Sequence, residues 1–301
     1  MCASRRPRGS PQSVPPEPLV VNAPSLAFLA TLLVVACQGV TNKADQGGVG
    51  GIGQPGLGGA GGAGAIAVAW LPTVGVTWQW QLMGTIDQGV SAQMFDVDLF
   101  GTPTDTVASL HAAGHPAVCY VNAGVFENWR PDAALYPAAV KGNDYPDWPG
   151  EQWLDVRQLS VLQPILEARM DLCRSNGFDG IELDNVDGYT NDTGFPLTAA
   201  DQLAFNRALA RSAHARGLSV GLKNDLEQAR DLVGQFDFAL NEQCFEFNEC
   251  EALRPFLDAR KAVFNVEYNL ATSSFCPEAQ AMGLSSMLKH VALDAYRDPC
   301  R

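Results

Sequence analysis

Two carboxylates stand two positions apart in an otherwise apolar stretch, Gly177-Phe178-Asp179-Gly180-Ile181-Glu182-Leu183-Asp184-Asn185-Val186-Asp187-Gly188-Tyr189. Side chains of a strand alternate between faces, so Ile181 and Leu183 share one face while Glu182 and Asp184 share the other. Two acids brought together in a partly buried place divide their roles. One is kept protonated and the other ionised, the division that general acid–base chemistry requires. On an exposed edge strand both acids would be solvated and idle, but the flanks argue for burial. A helical run, Met170-Asp171-Leu172-Cys173-Arg174-Ser175-Asn176, stops at Gly177, so the order is helix, glycine stop, strand, then an acidic and amide-rich loop. In parallel α/β proteins the loop at a strand's carboxyl end is where ligands sit.

The elements that must position these acids repeat along the chain. From Thr73 onward, strands are expected at 77–82, 94–100, 117–123, 180–186, 219–224, 238–243, 262–268 and 285–289. Helical patterns lie between most of them, clearest at 161–176 and 199–216, with shorter candidates at 103–113, 226–235 and 249–259. Eight strands alternating with helices predict an α/β fold, a single (β/α)8 TIM barrel. The strands also alternate in polarity. Gln79, Gln81, Asp96, Asp98, Tyr120, Asn122, Glu182, Asp184, Lys223, Asn265 and Glu267 are expected to line the barrel mouth. Trp78, Trp80, Phe95, Val97, Leu99, Cys119, Val121, Ile181, Leu183, Phe264 and Val266 are expected to face the helices. An antiparallel sheet with one wet face would alternate in the same way, but the interspersed helices favour the barrel.

With 301 residues, 47% of them hydrophobic and 18% charged, the chain can bury one large core. A formal charge of −13 disfavours nucleic acid and anionic lipid as partners and suits a cationic ligand. Arg5, Arg6 and Arg8 precede an apolar run at 26–36 that is short for a spanning helix and reads as a secretory signal. Val34-Val35-Ala36-Cys37 resembles the lipobox of bacterial lipoproteins, so membrane contact is expected only through a lipid anchor at Cys37. The expected organisation is a signal segment at 1–37, a glycine-rich linker at 38–72 and a catalytic domain at 73–301, secreted and tethered to the cell envelope. Cys119, Cys173, Cys244, Cys250, Cys276 and Cys300 then form an even set in an oxidising compartment, and disulfides are expected. The pairing is open, although Cys244 with Cys250 would close a tight loop and Cys119 with Cys173 would join neighbouring units. A metal site is disfavoured, because no cysteine pair has two-residue spacing and His111, His115, His214 and His290 cluster with none of them. No cofactor is expected.

A mouth holding several carboxylates and few cations suits acid–base work on a polar ligand, and glycoside hydrolysis fits best because it needs two carboxyl groups flanking one bond. Four segments make this specific: Gly180-Ile181-Glu182-Leu183-Asp184-Asn185-Val186-Asp187-Gly188-Tyr189, Gly221-Leu222-Lys223-Asn224-Asp225, Asn241-Glu242-Gln243-Cys244 and Val263-Phe264-Asn265-Val266-Glu267-Tyr268. Together they resemble glycoside hydrolase family 114, whose members are endo-α-1,4-polygalactosaminidases on (β/α)8 barrels. The likeness runs over 76–300, with Leu183 where many members have proline.

The resemblance implies Asp184 and Glu242 as the catalytic pair, Asp184 as nucleophile and Glu242 as acid/base, with retention of configuration. Strict alternation groups Glu242 with Phe238 and Leu240, so a bulge or the strand's end is expected to turn it inward; Glu267 is the substitute acid otherwise. Around the pair, Lys223, Asp96, Asp98, Asn185 and Asp187 are expected to meet amino or hydroxyl groups, with Tyr120, Asn122 and Glu267 also lining the site. Trp129, Trp148, Trp153 and Tyr189 are placed to stack on sugar rings, and Asp155 and Arg157 to form a structural ion pair. The expected substrate is a cationic galactosamine polymer. Two other readings stay open: hydrolysis of a different polysaccharide on the same barrel, and a lipoprotein that binds surface polysaccharide without cutting it.

Overall fold

The computed structural model describes residues 67–146 and 148–300. The signal segment, Cys37 and most of the expected linker lie outside the described residues. Contacts with the barrel begin upstream of Thr73: the Ala69 amide donates to the Gly217 carbonyl, and Trp70 packs against the interior.

The strands of the main sheet follow one another in chain order. They are β1 (Trp78–Gln81), β2 (Met94–Asp98) and β3 (Ala117–Asn122), and after an insertion β7 (Gly180–Asp184), β8 (Ser219–Lys223), β9 (Phe238–Glu242), β10 (Val263–Glu267) and β11 (Ser285–Leu288). Each pairs in parallel with the next, and β12 (Asp298–Pro299) adds antiparallel to β11. This is the expected (β/α)8 barrel, its eight strands within two residues of their predicted ends. The insertion after β3 is a separate antiparallel sheet of β4 (Val125–Glu127), β5 (Lys141–Asp144) and β6 (Glu151–Leu154), in the order β4-β6-β5. None of the strands expected from the sequence lies in that stretch.

Helices α1 (Thr104–Ala112), α2 (Leu159–Ser175), α3 (Ala199–His214), α4 (Ala229–Leu232), α5 (Arg254–Asp258) and α6 (Thr272–Met282) return the chain between strands. Helix α2 buries Leu162, Ile165, Leu166, Arg169, Met170 and Cys173, a stripe at helical spacing. Helix α3 starts on a reciprocal capping box between Thr198 and Asp201. Gly177 and Gly217, the predicted stops, adopt left-handed backbone with φ of +94° and +73°. Disulfides tie β3 to α2 (Cys119–Cys173), close the loop after β9 (Cys244–Cys250) and fasten α6 to the C-terminal segment (Cys276–Cys300).

The core has two layers. Phe95, Val97, Cys119, Val121, Ile181, Leu183, Val220 and Leu222 pack outward against the helices. Trp78, Trp80, Met94, Val118, Phe238, Leu240, Phe264, Val266 and Met287 fill the barrel interior. For β1 and β10 this corrects the expected facing. Trp78 and Trp80 point inward, and Trp78 meets Phe264 with ring centres 4.8 Å apart. Gln79 and Gln81 point outward, where the Gln79 amide donates to the Ala295 carbonyl at 3.0 Å and that of Gln81 to the carbonyls of Met83 and Thr85 at 3.0 and 2.9 Å. Asn265 and Glu267 likewise turn outward. The physical reason is that a barrel interior is a packed core, so its lower layers need bulky apolar side chains; polar residues on the outer face can be satisfied by loops folding over them.

The first and eighth strands are joined through side chains. The Trp78 indole donates to the Ser285 carbonyl at 2.9 Å, and the buried Lys289 ammonium reaches the carbonyls of Asp294 and Tyr296 at 2.7 and 2.5 Å and Gln79 Oε1 at 3.4 Å.

A Cβ built on Gly221 would stand 2.2 Å from the ring of Phe238, which is fully buried and meets Phe264 edge-on with ring centres 5.7 Å apart. Gly221→Ala is therefore expected to destabilise the barrel by about 1–3 kcal/mol through overpacking, read as a lower denaturation midpoint with unchanged slope.

Candidate active site

Three neighbouring strands end on the residues that meet at the mouth: Asp184 closes β7, Lys223 closes β8 and Glu242 closes β9. Each is followed by a residue in left-handed backbone, Asn185 (φ 58°), Asn224 (φ 50°) and Gln243 (φ 62°). Asparagine tolerates that region best among residues with a Cβ. The reversal carries the chain away at once and leaves the last strand side chain standing at the rim. Phe238 and Leu240 face the interior, so plain alternation brings Glu242 inward with them, and no bulge is needed. The loop after β3 also comes close: a Cβ on Gly124 would lie 1.7 Å from the Asn185 carbonyl oxygen.

Lys223 is the hub. Its Nζ lies 2.9 Å from Asp184 Oδ1, 3.0 Å from Glu242 Oε2 and 3.7 Å from Glu182 Oε1, and 4.9 Å from the centre of the Trp80 ring. Burial alone would favour the neutral amine. The surrounding carboxylates, Asp184 first, outweigh it and hold the ammonium well above the ordinary lysine range. Asp184 also accepts from Tyr120 Oη at 2.7 Å, from the Asn185 amide at 2.8 Å and from Asn185 Nδ2 at 3.2 Å. Glu242 accepts from Asn224 Nδ2 at 3.2 Å and from the Tyr268 hydroxyl. Burial, then the negative charge beside each, pushes both tyrosines well above their usual range, so they stay neutral donors.

The other residues singled out in the sequence separate into those that reach the mouth and those behind it. Asn185, Asp187 and Tyr189 lie half-buried in the loop after β7, with Tyr189 Oη directed at Glu227 Oε2 at 3.4 Å. Asp96 is fully buried in the barrel floor. Asp98, expected to meet substrate, is held by the Arg130 guanidinium at 2.7 Å and caps the amides of Phe100 and Gly101. Asn122 is buried too; its Oδ1 accepts from the Val125 amide and from Asn185 Nδ2, so it steadies the residue that steadies Asp184.

Glu267 faces away from the mouth. It accepts from the amides of Phe245 and Glu246 at 3.0 and 3.3 Å, supporting the loop after β9, because the inward positions of β10 belong to Phe264 and Val266. Trp153 is buried, its ring 4.9 Å from that of Tyr145 and against Gly188, which leaves no open face for a sugar. Trp129 and Trp148 are exposed. Asp155 and Arg157 form the expected ion pair, at 2.7 Å.

Sequence reading missed Tyr268, Tyr145, Arg130 and Glu151. Tyr268 sits in a quoted motif one position beyond Glu267, on the inward parity once Phe264 and Val266 are known to face in. The other three belong to the inserted sheet or its flanks. Tyr145 packs its ring 4.9 Å from that of Trp153, and burial, then the charges of Asp184, Asp187 and Glu242, push its hydroxyl above the usual range.

A family model described as Glycoside-hydrolase family GH114 matches residues 61–301. The chain belongs to family GH114. It is a glycoside hydrolase. The crystal structure of Aspergillus fumigatus Ega3 in complex with galactosamine is similar at 36% identity and a TM-score of 0.74, covering 78% of this chain and 98% of that one. The glycoside hydrolase domain of PelA from Pseudomonas aeruginosa shares the fold at 16% identity and a TM-score of 0.58, over 74% of this chain and 97% of that one. An uncharacterized protein of Deinococcus radiodurans is 28% identical over 225 residues, 66% of this chain and 72% of that protein.

One carboxyl of this GH114 enzyme makes a measurable pH signature. Glu151 pairs across the inserted sheet with Glu127, and burial followed by the Glu127 charge pushes its carboxyl from 4.5 up to about 8. A raised carboxyl favours the fold below its unfolded value and loses that contribution as pH rises through the folded one. Glu151→Gln is therefore expected to gain on the wild type in melting temperature as pH rises from 4.5 to about 8, with the two differing least in their pH trend below that window.

Proposed function

We propose that this protein is an endo-acting hydrolase of α-1,4-linked galactosamine-containing polysaccharide, working with retention through Asp184 as nucleophile and Glu242 as acid/base. The observation that carries the reading is the single Lys223 ammonium bridging both carboxylates, at 2.9 and 3.0 Å. Their facing oxygens are thereby held within about 6 Å, which favours the retaining spacing of roughly 5–5.5 Å over the inverting one of roughly 6.5–9.5 Å.

The bridge also links the two chemical steps. In the free enzyme Asp184 engages Lys223, and Glu242, acting as the acid, gives a proton to the departing glycosidic oxygen. As Asp184 bonds to the anomeric carbon it loses its charge, and Lys223 is left to stabilise the Glu242 carboxylate, now the base that takes a proton from water. Glu242 has the more exposed side chain of the two, 26% against 16%, as suits the group that must meet water.

The substrate class is supported by family membership, by the galactosamine bound to Ega3, and by an acidic protein with carboxylates at its mouth. Sugar ammonium groups would find partners there, whereas acetylated ones would not. Secretion and a lipid anchor at Cys37 belong to the same reading, supported by three disulfides.

On partially deacetylated α-1,4-galactosamine polymer, Asp184→Asn and Glu242→Gln are each expected to lower kcat by about 10²–10⁴-fold with the circular dichroism spectrum unchanged. Proton NMR of the first product is expected to show the α anomer. A first-formed β anomer would replace retention by inversion, and near-normal turnover of Glu242→Gln would remove Glu242 as the acid. Fully acetylated polymer is expected to bind more weakly and to lose the salt dependence of the cationic one.

A further inference from the structure

Beneath the catalytic pair lies a second pair of acids that the reaction scheme leaves unused. Asp96 in the middle of β2 and Glu182 in the middle of β7 both point into the barrel, and both are 0% exposed. Their strands flank β3, where Asp96 stands beside Val118 and Glu182 beside Tyr120, and among the described residues none of the four oxygens accepts from any N–H or O–H group. Even Lys223 Nζ is 3.7 Å from Glu182, an ion-pair contact too long for a hydrogen bond.

Two ionised carboxylates are both acceptors and cannot bond to one another; a proton makes one of them a donor. Two adjacent buried anions are also the arrangement that proteins avoid by retaining a proton. We propose that Asp96 and Glu182 share a proton and act as positioning residues, the Asp96 carboxyl donating to a Glu182 carboxylate that holds Lys223 charged and centred between Asp184 and Glu242.

Several groups face the pair and fix where the charge lies. Lys223 from β8 attracts it; Asp184 on β7 and Glu242 on β9 repel it; Tyr120 on β3 and Tyr268 after β10 stay neutral. Burial raises both carboxyls, Glu182 to about 8 against the pull of Lys223, and Asp96 well above the usual range because the Glu182 charge adds to its burial. Of the two acids Glu182 is the one in contact with the ammonium, so the negative charge settles there and the proton on Asp96. The positioning role rests on the proposed catalytic pair, whereas the shared proton does not.

The test compares purified wild-type enzyme with Asp96→Asn and Glu182→Gln. An asparagine amide at 96 can donate to Glu182 as the carboxyl does. Asp96→Asn is therefore expected to keep kcat within about threefold, since one hydrogen bond replaces another, with the pH profile of kcat/KM unmoved. Glu182→Gln removes the anion, so the remaining carboxylates ionise more readily and both limbs of the profile shift to lower pH by about one unit. A residue that only filled space would lower stability without moving the limbs. In infrared difference spectra at pH 9, above the value of about 8 to which burial raises Glu182, wild type minus Asp96→Asn is expected to show the carbonyl stretch of a protonated acid, and wild type minus Glu182→Gln the bands of a carboxylate.

Carboxylate bands alone in the Asp96 difference, or an Asp96→Asn profile displaced like that of Glu182→Gln, would overturn the proposal. The infrared readout does not depend on turnover, so it separates failure of the shared proton from failure of Asp184 and Glu242 as the reacting pair.

Discussion

The site depends on one buried ammonium. Lys223 is 2% exposed and touches three carboxylates from the two strands that flank its own. Removing an ammonium from water is costly, and so is gathering acids at the mouth of a low-dielectric barrel; each cost is offset only by the presence of the other. The consequence is mutual. The acids keep the lysine charged, the lysine lets the acids approach, and neither half of the arrangement would persist without its partner.

The barrel delivers this cluster by stopping three strands at the same height. Asp184, Lys223 and Glu242 are each the last residue of a strand, and each is followed by a left-handed residue that takes the backbone away from the mouth. Because the turn residues Asn185 and Asn224 also donate side-chain hydrogen bonds to the acids, the connection serves as part of the scaffold. Gly124 completes it by letting the β3 loop lie against the Asn185 carbonyl, where any side chain would collide.

Most of this was legible in the sequence where two signals agreed. The eight strands could be placed because apolar runs were bounded by glycine stops such as Gly177 and Gly217, and Asp184 and Glu242 were singled out because four motifs in order resemble the family. Parity was ambiguous where both faces of a strand are buried. On β1, Gln79 and Gln81 look like mouth residues, but loops that fold back from far along the chain satisfy them, and no local pattern announces those loops. The same ambiguity put Glu267 inside and made Glu242 seem out of phase. The inserted sheet was illegible for another reason. Its strands are three or four residues long and carry Gly142, Asn143 and Asp144, a composition that reads as turn.

The seam of the barrel also bears on how this protein avoids its neighbours. A parallel sheet that is not zipped into a full ring of backbone bonds leaves a strand edge, and an edge is a template on which another chain can add a strand. Here β12 lies along β11, pairing Met287 with Pro299 and Leu288 with Asp298. Proline has no amide hydrogen to offer an incoming strand, and aspartate brings charge, so the new edge is a poor template. The Cys276–Cys300 bridge fastens that short cover to α6. This third disulfide guards solubility as much as stability: cutting it would free the cover and expose the bare flank of β11 to self-association.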